Sequence, residues 1–187
     1  MAEIRATGIV TRVVDYREYD RIVTILSPQI GTLQLCLRGC RKPAAKLRAA
    51  AQLFCFADFE LLSRRAGHYI MTGCTVRDSF FALSSDVSRM RAAGTLCGVA
   101  TGLFDAQEDA RSDLFAALLC AITTLAYAPR VHAQEIVLVG ALRLLDAGGY
   151  RPQTQSCAEC GAPIAAGPAA FDPARGGVLC PDCAASD

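Results

Sequence analysis

Ile22-Val-Thr-Ile-Leu-Ser-Pro-Gln-Ile-Gly-Thr-Leu-Gln-Leu-Cys-Leu-Arg38 is the stretch whose pattern decides the architecture. Its second half alternates, with Leu33, Leu35 and Leu37 on one face and Gln34 and Arg38 on the other. That period of two marks a half-buried strand. Ile22 to Leu26 reads as the strand before it, and Ser27-Pro-Gln-Ile-Gly31 as the turn between them, because Pro presets one backbone angle and Gly accepts the left-handed one. Working outward, Ile9 to Val14, Phe54 to Leu62 and Tyr69 to Val76 complete a set of five strands, with Gly67 marking a turn between the last two. The Ala-rich segment Pro43 to Ala51 favours a short helix after the third strand. Five short strands with a helix after the third is the order of an OB-fold, a pattern shared with other small barrels.

From about Ser84 the period changes. Ala92, Leu96, Val99 and Leu103 recur three or four apart, as do Leu114, Leu118, Ile122 and Leu125, which predicts amphipathic helices. A third helix, Val131 to Ala147, stops at Gly148-Gly149 with Pro152 just beyond. The apolar stripes predict a packed bundle and no cofactor site. The expected class is α+β: an OB-fold domain over residues 1–80, a helical domain over 81–150 and a zinc-finger segment over 151–187.

The 187 residues are 52% hydrophobic and 20% charged, the composition of a folded chain and not of a disordered one. The longest uncharged run, Leu114 to Pro129, is shorter than the roughly 18 apolar residues a membrane span needs. Met1-Ala-Glu-Ile-Arg5 has neither a basic nor an apolar leader region. A cytoplasmic location away from membranes is expected. The net charge of +1 conceals an uneven distribution: residues 1–80 carry twelve Lys and Arg against seven Asp and Glu, and the remainder seven against eleven. A basic front suits an anionic partner, and equally an ordinary solvated surface.

Ten cysteines divide into two groups. Cys36, Cys40, Cys55, Cys74, Cys97 and Cys120 stand singly among apolar residues and are expected to be packing groups. Cys157-Ala-Glu-Cys160-Gly161 and Cys180-Pro-Asp-Cys183 form two C-x-x-C turns, the spacing with which four sulfurs surround one Zn2+. The rival, a redox pair, needs a helix start in a βαβ setting, which this sequence does not offer. Four thiolates leave no position for water, so Cys157, Cys160, Cys180 and Cys183 predict a structural zinc. A segment so broken by Gly and Pro would take its folding energy from the metal.

No phosphate-cradling or nucleophile motif occurs, and no H-x-E accompanies the cysteines. Asp15, Glu18 and Asp20 could suggest a metal-dependent nuclease, but Arg12, Arg17 and Arg21 interleave them and predict a surface ion-pair mesh. His132 is expected to be a capping or core residue. The chain is expected not to be an enzyme. Arg38-Gly-Cys-Arg-Lys-Pro-Ala-Ala-Lys-Leu-Arg48 holds five basic residues and no acid. Placed where strand three leaves the barrel, Arg38, Arg41, Lys42, Lys46 and Arg48 could follow a phosphate backbone, with Gly39 allowing close approach.

At these residues the chain resembles the RecO family of bacterial recombination mediators. The resemblance rests on Gly8-Ile-Val10, Tyr19-Asp-Arg-Ile-Val-Thr24, Gly31-Thr-Leu33 and Arg38-Gly-Cys-Arg-Lys42. It continues through Leu142-Arg-Leu-Leu145, Gly149-Tyr-Arg-Pro152, Cys157-x-x-Cys160-Gly161 and the run from Phe171 to Cys183 with Gly176-Gly177 before the second pair. It implies an OB-fold, a helical domain and a zinc finger, and binding and annealing of single- and double-stranded DNA. It further implies action with RecR to load RecA onto SSB-coated DNA, with the SSB C-terminal tail in a groove of the helical domain. The chain stops four residues after Cys183 where the family continues with more helix, so the resemblance implies an incomplete helical domain. Two other readings stay open. One is a protein-interaction adaptor with a zinc knuckle, marked by weak salt dependence; the other is a zinc-ribbon protein that prefers RNA.

Overall fold

A computed structural model of the chain describes residues 2–65, 68–129, 132–165, 167 and 169–185. Five antiparallel strands, β1 (Ala2–Asp15), β2 (Arg21–Ser27), β3 (Gly31–Leu37), β4 (Phe56–Arg65) and β5 (His68–Asp78), form one sheet in the order β3-β2-β1-β4-β5. The two edge strands, β3 and β5, approach each other and so curl the sheet into a barrel. This is the OB-fold connectivity expected from the pattern. Gly67 lies outside the described residues.

β1 serves both halves of the barrel. Its first part pairs with β4 from Ala2↔Ser63 to Ile9↔Phe56, and its second with β2 from Ile9↔Leu26 to Asp15↔Arg21. The β1–β2 register shifts between Val10 and Arg12, which makes Thr11 an extra residue. Such a bulge bends a strand and reverses which side chains point inward beyond it. Ala6 and Val10 face the barrel core before the bulge and Val13 after it, leaving Arg12 and Val14 exposed. Gly8 sits where β1 crosses β2, with the Leu26 carbonyl oxygen only 2.6 Å from where a Cβ would stand.

The helix expected over Pro43 to Ala51 does not form. In its place is a chain of tight turns closed by backbone bonds from Lys42 N–H to Gly39, Ala45 to Lys42, Arg48 to Ala45 and Ala51 to Arg48, ending in one 3-10 turn at Ala49–Ala51. Ala propensity is overridden because helix nucleation is costly in so short a piece. Burying Ala50 and Ala51 in the barrel core supplies the larger stabilisation.

A 3-10 turn (Phe81–Ser85) leads into α1 (Val87–Ala106), α2 (Arg111–Tyr127) and α3 (Ala133–Ala147), each packed on the other two. Asp86 caps α1 by accepting from the Ser88 and Arg89 N–H groups. The expected stripes are core: Leu114, Leu118, Ile122 and Leu125 are buried. α3 departs from the expectation, because only Gly140 and Leu144 are buried while Leu138 is 63% exposed. His132 stands at the α3 cap position, but its exposed side chain makes no capping bond, and Val131 lies outside the described residues.

The helical core runs on into the barrel wall, taking in Ile9, Leu26, Phe54 and Phe80. Phe54 (φ 65°) and Phe80 (φ 47°) adopt the left-handed conformation that a bulky residue avoids. Burial of both rings in the shared core holds them there. Cys40, Cys55 and Cys97 are buried as expected, whereas Cys36 and Cys120 are exposed. Cys36 lies on the outward face of β3, since alternation gives the core to its Leu neighbours. Beyond α3, β6 (Ala170–Asp172), β7 (Gly177–Leu179) and the one-turn α4 (Pro181–Ala184) carry the cysteine-rich tail. Among the described residues no helix is long and apolar enough to cross a membrane.

Candidate nucleic-acid interface and metal centre

The β1–β2 loop (residues 16–20) and the turns after β3 lie at one end of the barrel, because Asp15 pairs with Arg21 and Arg21 with Leu37. Two bonds latch them together: the Arg41 N–H donates to the Tyr19 carbonyl (3.1 Å), and the Gly39 N–H to Asp20 Oδ1 (2.8 Å). Gly39 takes φ 65°, which swings the chain off the strand end. All five predicted basic residues, Arg38, Arg41, Lys42, Lys46 and Arg48, are exposed.

They are not equivalent. Arg41 Nη1 sits 3.4 Å from Asp15 Oδ2, and Lys42 Nζ lies 5.5 Å from the Tyr19 ring centroid. The ion-pair mesh forms only in part. Asp15 pairs with Arg21 (2.8 Å) and Arg41, Asp20 accepts from Gly39, and Arg17 instead covers the Tyr16 ring at 5.2 Å. The hydrogen bond from Arg21, with Arg41 adding its charge, holds the Asp15 carboxyl below the usual carboxylate range. Arg21 also donates to the Ala51 carbonyl (2.9 Å), tying the run of turns to the barrel.

Sequence reasoning passed over Tyr16 and Tyr19, which are 53% and 43% exposed beside these cations. Two tyrosines in an otherwise charged loop were the available signal. A surface that combines cations with exposed aromatic rings can neutralise phosphates and stack bases.

The tail brings Cys157, Cys160, Cys180 and Cys183 together, as the spacing predicts, with all four sulfurs within 4.8 Å of one another. Gly161 (φ 73°) turns the first knuckle, whose N–H bonds back to the Cys157 carbonyl. The knuckle is fixed to the β6–β7 hairpin by the Ala158 N–H donating to Val178 and by Gln153 bonding both Gly176 and Val178. Gly177 has no room for a side chain, since a Cβ there would meet Gln153 at 2.7 Å. Arg175 bridges Glu159 of the first knuckle and Asp172 of β6.

Cys157 is buried, and the Cys160 and Cys180 backbone N–H groups pull its thiol down to about 6. The sulfurs of Cys180 and Cys160 push Cys183 up to about 12, as expected where neighbouring thiols cannot all ionise without a cation among them. Four converging sulfurs can hold one metal ion. Among the described residues no other group of three or more His, Cys, Asp or Glu does so.

Residues 1–80 match the family described as "Recombination protein O N terminal", and residues 84–187 match "Recombination protein O C terminal". The "DNA repair protein RecO" of Anaeromyxobacter dehalogenans (strain 2CP-C) is 35% identical, with 98% of this chain and 72% of that protein aligned. The protein of the same name from Roseiflexus sp. (strain RS-1) is 36% identical over 98% of this chain and 63% of its own length. That of Desulforamulus reducens is 32% identical over 95% and 67%. On its barrel, its helical bundle, its cysteine quartet and these matches, the chain belongs to the RecO family of DNA repair proteins.

Proposed function

We propose that this chain binds single- and double-stranded DNA through the basic end of its barrel and anneals complementary strands without consuming nucleotide. In this reading it works in the cytoplasm at the nucleoid. It acts with RecR to help load RecA onto SSB-coated DNA, and the SSB C-terminal tail contacts the helical bundle. The observation that supports the proposal is an exposed, acid-free basic run, Arg38, Arg41, Lys42, Lys46 and Arg48, whose Arg41 and Lys42 meet the β1–β2 loop at Asp15 and Tyr19. OB-folds engage nucleic acid across strands two and three and through the loop between strands one and two.

The role is one of binding and not catalysis, because cations on a barrel surface stabilise a strand without offering a nucleophile or a general base. Zn2+ is the ion that suits the tail. Zn–S bonds near 2.3 Å place tetrahedral sulfurs about 3.8 Å apart, and Cys160 and Cys180 stand at 3.8 Å. A closed tetrathiolate shell serves folding, holding the knuckle on the hairpin.

Fluorescence anisotropy with labelled single-stranded DNA over a salt series tests the proposal. If about five phosphates are neutralised, the log–log slope is near −3.5. The variant R41A/K42A/K46A/R48A loses most of the affinity and flattens the slope. Equal binding by the folded variant refutes the site, and absence of binding by the wild type refutes the function.

A further inference from the structure

We propose that Asp15 is a built-in competitor for DNA phosphate, holding the Arg41 guanidinium in the free chain and yielding it when a strand binds. The proposal rests on the phosphate-binding reading above and adds to it a residue that sets the affinity. The basic run contains no acid of its own, so the anion comes from a distant segment, the last residue of β1. Arg41 Nη1 lies 3.4 Å from Asp15 Oδ2, whereas Arg38, Lys46 and Arg48 form no ion pair among the described residues. The same carboxylate takes a closer bond from Arg21 Nε at Oδ1 (2.8 Å). A planar carboxylate engages a guanidinium much as a phosphate does, through oxygens that suit its fork of N–H groups.

The arrangement makes exchange easy. The pair is open to solvent, with the Arg41 side chain 39% exposed and that of Asp15 54%, so a phosphate can reach the guanidinium from outside. The Arg41 backbone is pinned by its N–H bond to the Tyr19 carbonyl (3.1 Å), which leaves the side chain to change partners while the loops keep their shape. Asp15 is not stranded by the change. Arg21 remains on its Oδ1 and is itself anchored on the Ala51 carbonyl (2.9 Å). Binding therefore trades one exposed Arg41 ion pair for another, and Arg41 adds little net affinity while Asp15 is charged. With that charge removed, the same phosphate contact is gained and no partner is lost.

Anisotropy of the full chain with a labelled 15-mer of thymidylate at about 0.1 M salt tests this. Asp15→Asn keeps an oxygen for Arg21 but drops the charge, and Asp15→Ser is a second uncharged replacement. Both bind about two- to fivefold tighter than the wild type, the worth of one exposed ion pair. Asp15→Glu keeps the charge and the wild-type affinity. Glu3→Gln makes the same change in net charge at the far end of β1, where Glu3 is exposed, and shifts the affinity much less. The gain depends on Arg41: the double variant Asp15→Asn/Arg41→Ala binds as Arg41→Ala alone does, which a mere loosening of the loop would not produce. Uncharged variants that bind no tighter, a gain matched by Glu3→Gln or Asp15→Glu, or a gain that survives Arg41→Ala overturns the proposal. Failure of the phosphate reading is distinguishable and overturns both, since only then does the wild type itself bind without salt dependence or not at all.

Discussion

Replacing Gly8 by Ala isolates the close crossing of β1 over β2. The added Cβ would stand 2.6 Å from the Leu26 carbonyl oxygen and 2.8 Å from Ile25 Cγ2. The first distance is about 0.8 Å short of ordinary van der Waals contact. The obstacle is largely backbone, and the strand cannot withdraw freely because Gly8 also pairs with Ala57 on its other side. Overpacking of this kind costs about 1–3 kcal/mol, offset by about 0.4–1 kcal/mol from the stiffer unfolded chain. The net loss of about 1–2 kcal/mol lowers Tm by about 3–7 °C in a chain of this size. Gly98→Ala makes the opposite case. Gly98 lies exposed within α1 with nothing within 4 Å of an added Cβ, and Ala is favoured there by about 0.8–1 kcal/mol. Thermal melts followed by far-ultraviolet circular dichroism should therefore shift in opposite directions for the two variants. A Gly8→Ala protein that melts at or above the wild type, or two shifts of the same sign, refutes the argument.

The tail and the surface offer three further tests. If the four cysteines hold zinc as proposed, chelation loosens the knuckles, so trypsin cleaves after Arg175 in the β6–β7 turn much faster in chelator than in zinc, which mass spectrometry reads as loss of the segment from Gly176 onward; equal rates refute it. Hydrogen bonds from Arg77 and Thr7 hold the Asp58 carboxyl below its ordinary 3.8. Its stabilisation is full above that value and is lost as the pH falls through the lowered one. Tm in Asp58→Asn should accordingly decline less steeply than in the wild type below about pH 4, and parallel curves would contradict it. Exposed Cys36 and Cys120 should be alkylated in the folded chain, whereas Cys55 and Cys97, which burial pushes up to about 12, should react only after denaturation. Peptide mapping of the labelled thiols decides the point.

Much of this architecture is written in local pattern. The alternation of Leu33, Leu35 and Leu37 specifies a strand with one buried face wherever it lies. The three-and-four spacing from Leu114 to Leu125 does the same for a buried helix face. Each C-x-x-C turn announces half of a metal site because four residues suffice to aim two sulfurs at one ion. The basic run from Arg38 to Arg48 is equally visible, since charge needs no partner in order to be read.

What only the tertiary structure decided depends on contacts between distant segments. The single extra residue at Thr11 reverses the faces of Arg12 and Val14, and no local preference at Thr11 announces it. Ala49 to Ala51 give up helix for a turn because the barrel core behind them takes two small side chains. Cys36 and Cys120 point outward because register and helix phase, not residue type, assign the face. Arg41 divides its charge between Asp15 and solvent, and Tyr16 and Tyr19 join the basic run, because the Tyr19 and Asp20 bonds draw two loops together. Sequence pattern records periodicity within a segment, whereas the binding surface is made by the register between segments, and register is a property of the folded barrel.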